Sequence, residues 1–308
     1  MVAAAGYTGQ PRIAMSRYIV RELIQQGDML HYWPVSSPPT KQEEQPVDLT
    51  HVDYQRDDSL AIICLNRPEA GNTLSRQMAL DILAAATAAR DDEAVRAVVF
   101  SARGPMFSFG GDLKEFQLFG TDTEKLATIA DRWHEAQHIL LTMPKPVVVG
   151  VNGIAAGGGV PMTLVGDIVL VDETARYRLA YTAAGLSPDG GSTWLLPRLI
   201  GLRRTQELIF ENRELSAAEA VDWGLATRTV PEGAALEAAV KAAHTLARGA
   251  TQAYASARRM LQASFENGFI TQTNIETVEI AANLAGQDGQ EGIDAFINKR
   301  VPQFRGIR

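Results

Sequence analysis

Two glycine-rich segments are the parts of this 308-residue chain whose residue types and spacing point most directly to chemistry. The first reads Phe107-Ser-Phe-Gly-Gly-Asp-Leu-Lys114 and the second Asn152-Gly-Ile-Ala-Ala-Gly-Gly-Gly159, each shortly after an apolar stretch. Glycine lets a ligand approach the backbone closely, and a strand-to-helix turn leaves N–H groups unpaired. Two such turns facing each other could donate two N–H groups to one oxygen atom, as an oxyanion hole does. Each turn taken alone is explained better as a tight turn that requires glycine.

A single aspartate stands further along the chain, in Gly185-Leu-Ser-Pro-Asp-Gly-Gly-Ser-Thr-Trp194. One carboxylate can take a proton from one carbon atom of a substrate and return it to another. Residue type alone favours a simpler interpretation, in which Asp189 follows Pro188 and caps a helix. A catalytic role for Asp189 therefore needs support from its surroundings.

The elements that must position these residues alternate between apolar strands and helical stretches. Strands are predicted at 60–65, 95–100, 146–151 and 168–171, and a long helix at 123–141. Ser75 is expected to cap another helix. Continuous apolar strands separated by helical segments are typical of a parallel sheet with crossover helices. The tail from 234 to 298 is almost wholly helical in composition.

Residues 1–46 differ from the rest and are predicted to be an N-terminal extension. Residues 16–31 have the spacing of a short amphipathic helix. Residues 34–46 are polar and proline-rich, as a linker is. The extension is interpreted either as a loose segment or as an arm that packs on a neighbouring subunit.

The composition excludes several classes of protein. The single cysteine, Cys64, excludes an intramolecular disulfide and a multi-cysteine metal cage, and no cluster of other residues has metal-ligand spacing. The net charge of −7 argues against a nucleic-acid-binding protein. No apolar run approaches the roughly 20 residues that span a bilayer. The chain start lacks the pattern of a secretory signal, so we expect a cytoplasmic protein without a membrane or nucleic-acid partner.

Five ordered motifs resemble the enoyl-CoA hydratase/isomerase (crotonase) superfamily over roughly residues 47 to 306. They are Asn66-Arg-Pro-Glu-Ala-Gly-Asn-Thr-Leu74, Phe107-Ser-Phe-Gly-Gly-Asp112, residues 146–159, Trp223-Gly-Leu225 and Phe296-Ile-Asn-Lys-Arg-Val-Pro-Gln-Phe304. The resemblance implies an α/β protein with a crotonase-like (ClpP/crotonase) ββα spiral core at 47–233 and a helical trimerisation region at 234–308. It implies a homotrimer or a dimer of trimers, and an acyl-CoA thioester substrate from fatty acid or aromatic degradation. No separate cofactor is implied, since coenzyme A is part of the substrate.

The resemblance also assigns roles at the site. The two oxyanion N–H groups of the family correspond to Gly111 and Gly158. The two glutamates of the hydratases fall at Pro161 and near Tyr181, neither of which transfers a proton as a carboxylate does. Simple two-glutamate hydration is therefore disfavoured, although a hydratase variant stays an alternative.

Asp189 occupies the position of the single aspartate in family members that move a double bond, the phenylacetate-pathway and dodecenoyl-type isomerases. This favours an enoyl-CoA isomerase in which Asp189 carries the proton. The alternative is an enzyme like the 4-chlorobenzoyl-CoA dehalogenases, with Asp189 as nucleophile and His134 as the base that activates water. The tryptophan that bonds the nucleophile there would fall at Tyr181. A non-catalytic acyl-CoA-binding or RNA-associating scaffold is a further alternative, which the intact Asp189 and glycine turns oppose.

Further residues are expected to bind the substrate. The segment after the first glycine turn is predicted to follow the adenine and pantetheine path, and Arg67 and Lys299 to meet the CoA phosphates, although solvated surface positions explain these two about as well. The predicted substrate-binding residues are Arg67, Phe107, Phe109, Asp112, Leu113, Tyr181 and Lys299.

Overall fold

A computed structural model describes residues 49–306, so the predicted extension lies outside the described residues. Two sheets are present among the described residues. The strands are β1 Val52–Asp57, β2 Leu60–Leu65, β3 Ala97–Ala102, β4 Val147–Val151, β5 Ala155–Ala156, β6 Ile168–Asp172, β7 Arg176–Arg178, β8 Leu215–Ser216 and β9 Arg228–Val230.

The central sheet has six strands in the order β1-β2-β3-β4-β6-β9. β1 runs antiparallel to β2, and the other neighbours are parallel. The predicted parallel sheet is therefore confirmed from β2 onward, with the hairpin partner β1 added at one edge. β5, β7 and β8 form a small second sheet beside it.

Both faces of the central sheet are covered, as the unbroken apolar runs of its strands require. Alternate residues of β2 show this: Ile63 and Leu65 belong to one buried cluster, and Ile62 and Cys64 to the other. The period of two residues in a strand produces this division.

Eleven α-helices are present among the described residues. They are α1 Arg76–Asp91, α2 Leu113–Phe119, α3 Thr123–Thr142, α4 Gly159–Thr163, α5 Ser192–Ile200, α6 Leu202–Phe210, α7 Ala217–Trp223, α8 Ala235–Ala247, α9 Thr251–Ala263, α10 Phe269–Ala285 and α11 Gln287–Ile297. α1 packs on α3 along one face of the central sheet, and α8 packs on β3, β4 and β6 on the other. No helix of the described part is long and apolar enough to cross a membrane.

Local signals located four of the nine strands of the described residues, β2, β3, β4 and β6, and the helices α1 and α3. Ser75 caps α1 as predicted, since its hydroxyl accepts from the N–H of Met78 at 3.1 Å. α3 ends one residue beyond the prediction. β3 begins two residues later than predicted, at Ala97, and also ends two residues later. At its start, the N–H of Arg96 donates to the Ser59 carbonyl just before β2.

The sheet brings the two glycine-rich segments together. β3 and β4 are parallel neighbours, with Phe100 opposite Val149, so the segments that follow them leave the same edge of the sheet. An isolated bridge between Ser108 and Ala155 continues the pairing beyond the strands. Ligands of parallel sheets bind at this edge, where the carboxyl ends of the strands lie.

Candidate active site

The two glycine turns contact each other at the carboxyl edge of the sheet. Gly110 and Gly157 both have positive φ angles, +83° and +50°. A Cβ at position 110 would lie 2.4 Å from the backbone nitrogen of Gly158 and 2.6 Å from the carbonyl oxygen of Ala156. Glycine at 110 is therefore required both by its φ angle and by the close approach of the second turn.

Two backbone N–H groups are left unpaired where the turns meet. Within the described part of the chain, the N–H groups of Gly111 and Gly158 donate to no protein acceptor. A Cβ at position 158 would lie 3.6 Å from the nitrogen of Gly111, so the two groups are neighbours. Two free donors this close can both bind one oxygen atom that carries developing negative charge.

The two glycines border a cavity of about 300 Å³. One wall comes from α3, whose residues 126, 129, 130 and 133 recur at helical spacing on one face. Aspartate 189 is the only acidic residue that lines the cavity among the described residues. The apolar lining consists of Leu74, Phe109, Leu113, Phe116, Leu126, Ile129, Ala130, Trp133, Ala180, Tyr181, Ala184, Leu186 and Pro188.

Asp189 and His134 form a pair beside this cavity. His134 Nε2 lies 2.9 Å from Asp189 Oδ1, although the residues are 55 positions apart in the chain. The two side chains are 44% and 47% exposed, respectively. Because an ionised carboxylate only accepts hydrogen bonds, Nε2 must carry the proton when the pair is formed.

The contact shifts the pKa of both groups. Burial favours the protonated form of Asp189, but the hydrogen bonds from His134 and from the Gly190 N–H, with the charge of His134, hold its pKa below the ordinary value. The hydrogen bond to Asp189 raises the pKa of His134 against the effect of burial, and the charges of Asp189 and Asp131 add to the rise. The pair therefore favours a carboxylate beside a protonated imidazole.

Asp189 does not cap a helix. The residue before α5 is Gly191, and no side chain caps that helix. The helix-cap interpretation of Asp189 is therefore wrong, because two further glycines with φ of +61° and +71° separate it from the helix start.

The two positions that correspond to hydratase glutamates carry no acid. Pro161 is buried in α4, and a Cβ at position 190 would lie 2.8 Å from its Cγ. The Tyr181 hydroxyl lies 3.4 Å from the backbone carbonyl of Asp189 and donates there rather than to the carboxylate. Burial and the charge of Asp189 raise the pKa of Tyr181, so its hydroxyl stays protonated.

Arg67 and Asp112 lie in a second cavity of about 730 Å³, which shares Phe109, Gly111 and Leu113 with the first. Arg67 Nη1 donates to Asp112 Oδ2 at 2.6 Å. Burial raises the pKa of Asp112, but the bonds from Arg67, the Glu115 N–H and Thr73 hold it below its ordinary value. Asp112 also caps α2, so it combines the expected helix-start role with a place in the lining of this cavity.

Two predicted substrate-binding residues lie elsewhere. Phe107 is fully buried and packs edge-to-face on Phe100, with ring centroids 6.1 Å apart, so it belongs to the core rather than to the cavity. Lys299 is exposed after α11 and lines neither cavity. Phe109, and not Phe107, is the aromatic residue of this segment that lines the cavity.

The wall that α3 supplies, including Trp133, is absent from the residues predicted to bind the substrate. A signal was present, because apolar residues at 126, 129, 130 and 133 have the i, i+3, i+4, i+7 spacing of one helix face. His134 directly follows Trp133 on this helix, but the spacing does not show that Asp189 lies beside it.

Comparison with known proteins identifies the family. The sequence profile described as "Enoyl-CoA hydratase/isomerase" matches residues 55–307. This chain belongs to the enoyl-CoA hydratase/isomerase family. The resemblance inferred from the five motifs is thereby confirmed.

Relatives in this family have names that cover several reactions. A "Probable enoyl-CoA hydratase" of Rhodobacter capsulatus is 34% identical over 82% of this chain and 97% of its own length. The 1,2-epoxyphenylacetyl-CoA isomerase of Escherichia coli is 32% identical, with 84% and 98% covered. A 4-chlorobenzoyl coenzyme A dehalogenase of Arthrobacter sp is 29% identical, with 82% and 92% covered.

The fold is shared with solved members of the enoyl-CoA hydratase/isomerase family. An enoyl-CoA hydratase from Polaromonas sp. JS666 superposes with a TM-score of 0.80 at 31% identity, covering 82% of this chain and 99% of that chain. The predicted α/β crotonase-like fold is therefore confirmed. The chain is an enzyme of this family, and the choice of reaction depends on the residues of its own cavity.

Proposed function

We propose that this protein is an enoyl-CoA isomerase that moves a double bond along the acyl chain of a coenzyme A thioester. The thioester oxygen binds to the N–H groups of Gly111 and Gly158, and the Asp189 carboxylate transfers the proton. The observation that carries the proposal is that one cavity is lined by a single carboxylate and by the two glycines whose neighbouring N–H groups are unpaired among the described residues.

The reaction needs one group that is first a base and then an acid. With a 3-enoyl thioester, the Asp189 carboxylate takes a proton from C2, and the electron pair of that C–H bond delocalises toward the thioester oxygen. The two glycine N–H groups stabilise the negative charge of this dienolate. The protonated Asp189 then gives the proton to C4, which leaves the double bond between C2 and C3 and restores the carboxylate.

The rest of the cavity suits proton transfer without addition of water. Hydration would need a second acid or base to handle the water, and Pro161 and Tyr181 stand where the resemblance places the hydratase glutamates. The Tyr181 hydroxyl is engaged with a backbone carbonyl. Apart from Ser187, the remaining side chains of the cavity wall are apolar, which strengthens the electrostatic effect of the two N–H groups.

Asp189→Asn tests the proposal. The amide keeps the shape of the side chain and cannot accept the proton, so isomerisation of 3-enoyl-CoA esters should fall by about 10²–10⁴-fold. Binding of a saturated acyl-CoA, measured by calorimetry, should stay within a few-fold of wild type. Asp222→Asn, on the exposed side of α7, is the matched control and should keep full activity. Full activity of Asp189→Asn would refute the mechanism.

A second candidate function has one specific observation in its favour, the 2.9 Å contact between His134 Nε2 and Asp189 Oδ1. In an aryl-CoA dehalogenase, an Asp189 oxygen would attack the ring carbon that carries the halogen, and halide would leave. Water deprotonated by His134 would then attack the carbonyl carbon of the resulting ester and release the hydroxyaryl thioester, with Asp189 restored.

The two candidates give different products with 4-halobenzoyl-CoA. If the protein is a dehalogenase, we expect halide release, and an aryl-enzyme adduct should be detected by intact mass after a rapid quench. This adduct should accumulate in His134→Gln. If the protein is an isomerase, we expect neither halide release nor an adduct. The Tyr181 hydroxyl, which donates to the backbone and not to the Asp189 carboxylate, favours the isomerase.

A further inference from the structure

The turn that carries Asp189 has an unusual backbone. Gly190 and Gly191 follow Asp189 with φ angles of +61° and +71°, a conformation that residues other than glycine rarely adopt. The Ser192 N–H donates to the Asp189 carbonyl at 3.2 Å, and the Leu195 N–H donates to the Gly191 carbonyl at 2.8 Å. Neither glycine has a side chain that could anchor the turn, and no backbone N–H of the described residues donates to the Gly190 carbonyl. Contacts from outside the turn therefore add to its own bonds in setting the position of the Asp189 carboxylate.

Three side chains of helix α3 contact this turn. His134 contacts the carboxylate of Asp189, as described above. One turn of helix further on, Gln137 Nε2 donates to the carbonyl oxygen of Gly190 at 2.8 Å, and this side chain is only 5% exposed. The Trp133 indole nitrogen lies 2.9 Å from where a Cβ of Gly190 would be. Residues 133 and 137 are four positions apart, so they share one face of α3.

The bond from Gln137 is the only side-chain hydrogen bond to the Gly190 carbonyl among the described residues. The carbonyl of Asp189 is held separately, by Ser192 Oγ at 2.6 Å and by the Tyr181 hydroxyl at 3.4 Å. Gln137 thus binds the Gly190 carbonyl, which these two groups do not. It also packs against the turn, because its amide atoms lie 3.5–3.6 Å from where a Cβ of Gly191 would be.

We propose that Gln137 is a positioning residue that holds the Gly190 carbonyl and thereby sets the Asp189 carboxylate against His134 and toward the two free N–H groups. Gln137 touches no reacting atom and lines neither cavity; it acts through the turn. The inference rests on the proposed use of Asp189, and it holds equally if Asp189 serves as base or as nucleophile.

Gln137→Met tests the proposal, because methionine has a similar shape and no donor. Gln262→Met is the matched control: Gln262 also donates from Nε2 to a backbone carbonyl, that of Leu141, at the end of α3 away from Asp189. The first readout needs no substrate. It is the titration of His134, followed by NMR with labelled histidine and assigned with His134→Gln. The charged groups near His134 are Asp189 and Asp131.

Loosening the turn weakens the contact between Asp189 and His134. The midpoint of the His134 titration should therefore move down by roughly 0.5–1 pH unit in Gln137→Met. This is a part of the change of about 1–3 pH units that a close opposite charge causes. Gln262→Met should leave that midpoint unchanged. In the isomerase assay, kcat of Gln137→Met should fall at least about tenfold with KM within threefold, since misplacement of a reacting group affects the chemical step.

Gln137→Glu supplies the conservative rescue. The new carboxyl can donate to the Gly190 carbonyl only while protonated, so its activity relative to wild type should rise as the pH is lowered, and Gln137→Met should show no such recovery. If Gln137→Met does not fold, this variant carries the test. Gln137 variants that match Gln262→Met in both readouts would overturn the positioning role. An active Asp189→Asn would instead overturn the proposed function, so the two failures are distinguishable.

Discussion

At the scale of single residues, the site depends on a pair that forms only when each partner is in the right protonation state. The pKa of Asp189 is held below its ordinary value and that of His134 above it. Because its pKa is lowered in the folded protein, Asp189 stabilises the folded state at pH values above its unfolded pKa of about 3.9. This stability is lost as the pH falls through the folded pKa. The raised pKa of His134 contributes stability below about 6.5, which is lost as the pH rises through its folded value.

The pair should therefore stabilise the protein most between about pH 4 and pH 6.5. His134→Gln should lower the thermal unfolding midpoint measurably at pH 5.5 and by less at pH 9, because the stability that comes from the raised pKa of His134 is lost as the pH rises through its folded value. Differential scanning calorimetry at the two pH values checks this. An equal loss for His134→Gln at both pH values would contradict the ion pair.

At the scale of elements, the site is the meeting point of two turns and one helix. Neighbouring parallel strands place both glycine turns at one edge, and α3 crosses beside them with an apolar wall, His134 and Gln137 on nearby faces. The close contact of the two turns is what leaves two N–H groups side by side. Any atom inserted between the turns should therefore damage the site more than the fold.

Gly110→Ala makes that insertion. Its Cβ would lie 2.4 Å from the Gly158 nitrogen, and its φ of +83° is strained for alanine. Isomerase activity should fall by about 10²–10³-fold, the effect of losing one oxyanion donor. Gly120→Ala is the matched control, because its φ is also positive at +56° and a Cβ there meets nothing within 4 Å. It should lose only stability, about 1–3 kcal/mol, because φ +56° with ψ −117° is a sparsely populated backbone conformation. Equal activity losses in the two variants would show that the cause is backbone strain and not displacement of the turn.

At the scale of the whole molecule, the C-terminal helices expose more apolar surface than an isolated chain would be expected to keep. Phe269 is 82% exposed and Phe296 is 85% exposed. Other exposed apolar residues on α10 and α11 and just after α11 are Ile270, Val278, Ile280, Leu284, Ile293, Ile297 and Val301. Large exposed apolar patches usually mark contacts with other chains. The structure contains one chain, so the homotrimer or dimer of trimers stays a prediction.

Light scattering coupled to size-exclusion chromatography should give the mass of three or six chains. Replacing both Phe269 and Phe296 by aspartate places charges on the apolar surface, so the mass should fall toward that of one chain. The circular dichroism of the central fold should persist. A wild-type protein that elutes as a single chain at micromolar concentration would contradict the prediction.

The sequence by itself determined the main strands of the central sheet, the helices α1 and α3, and the places of the glycine turns. Apolar runs located β2 and β4, helical spacing located α3, and Ser75 was recognised as a cap, because each signal depends on residues near one another in the chain. The glycine segments were recognised for the same reason. The motifs also led to Asp189, although residue type alone favoured a helix cap that the structure does not contain.

Only the tertiary structure decided which distant groups meet. It brought His134 within 2.9 Å of Asp189, bonded Gln137 to the Gly190 carbonyl, and paired Arg67 with Asp112. It also placed Phe107 in the core. The physical reason is that these contacts join separate crossover units, and their geometry depends on how α3 packs against the sheet. No local pattern of spacing contains that information.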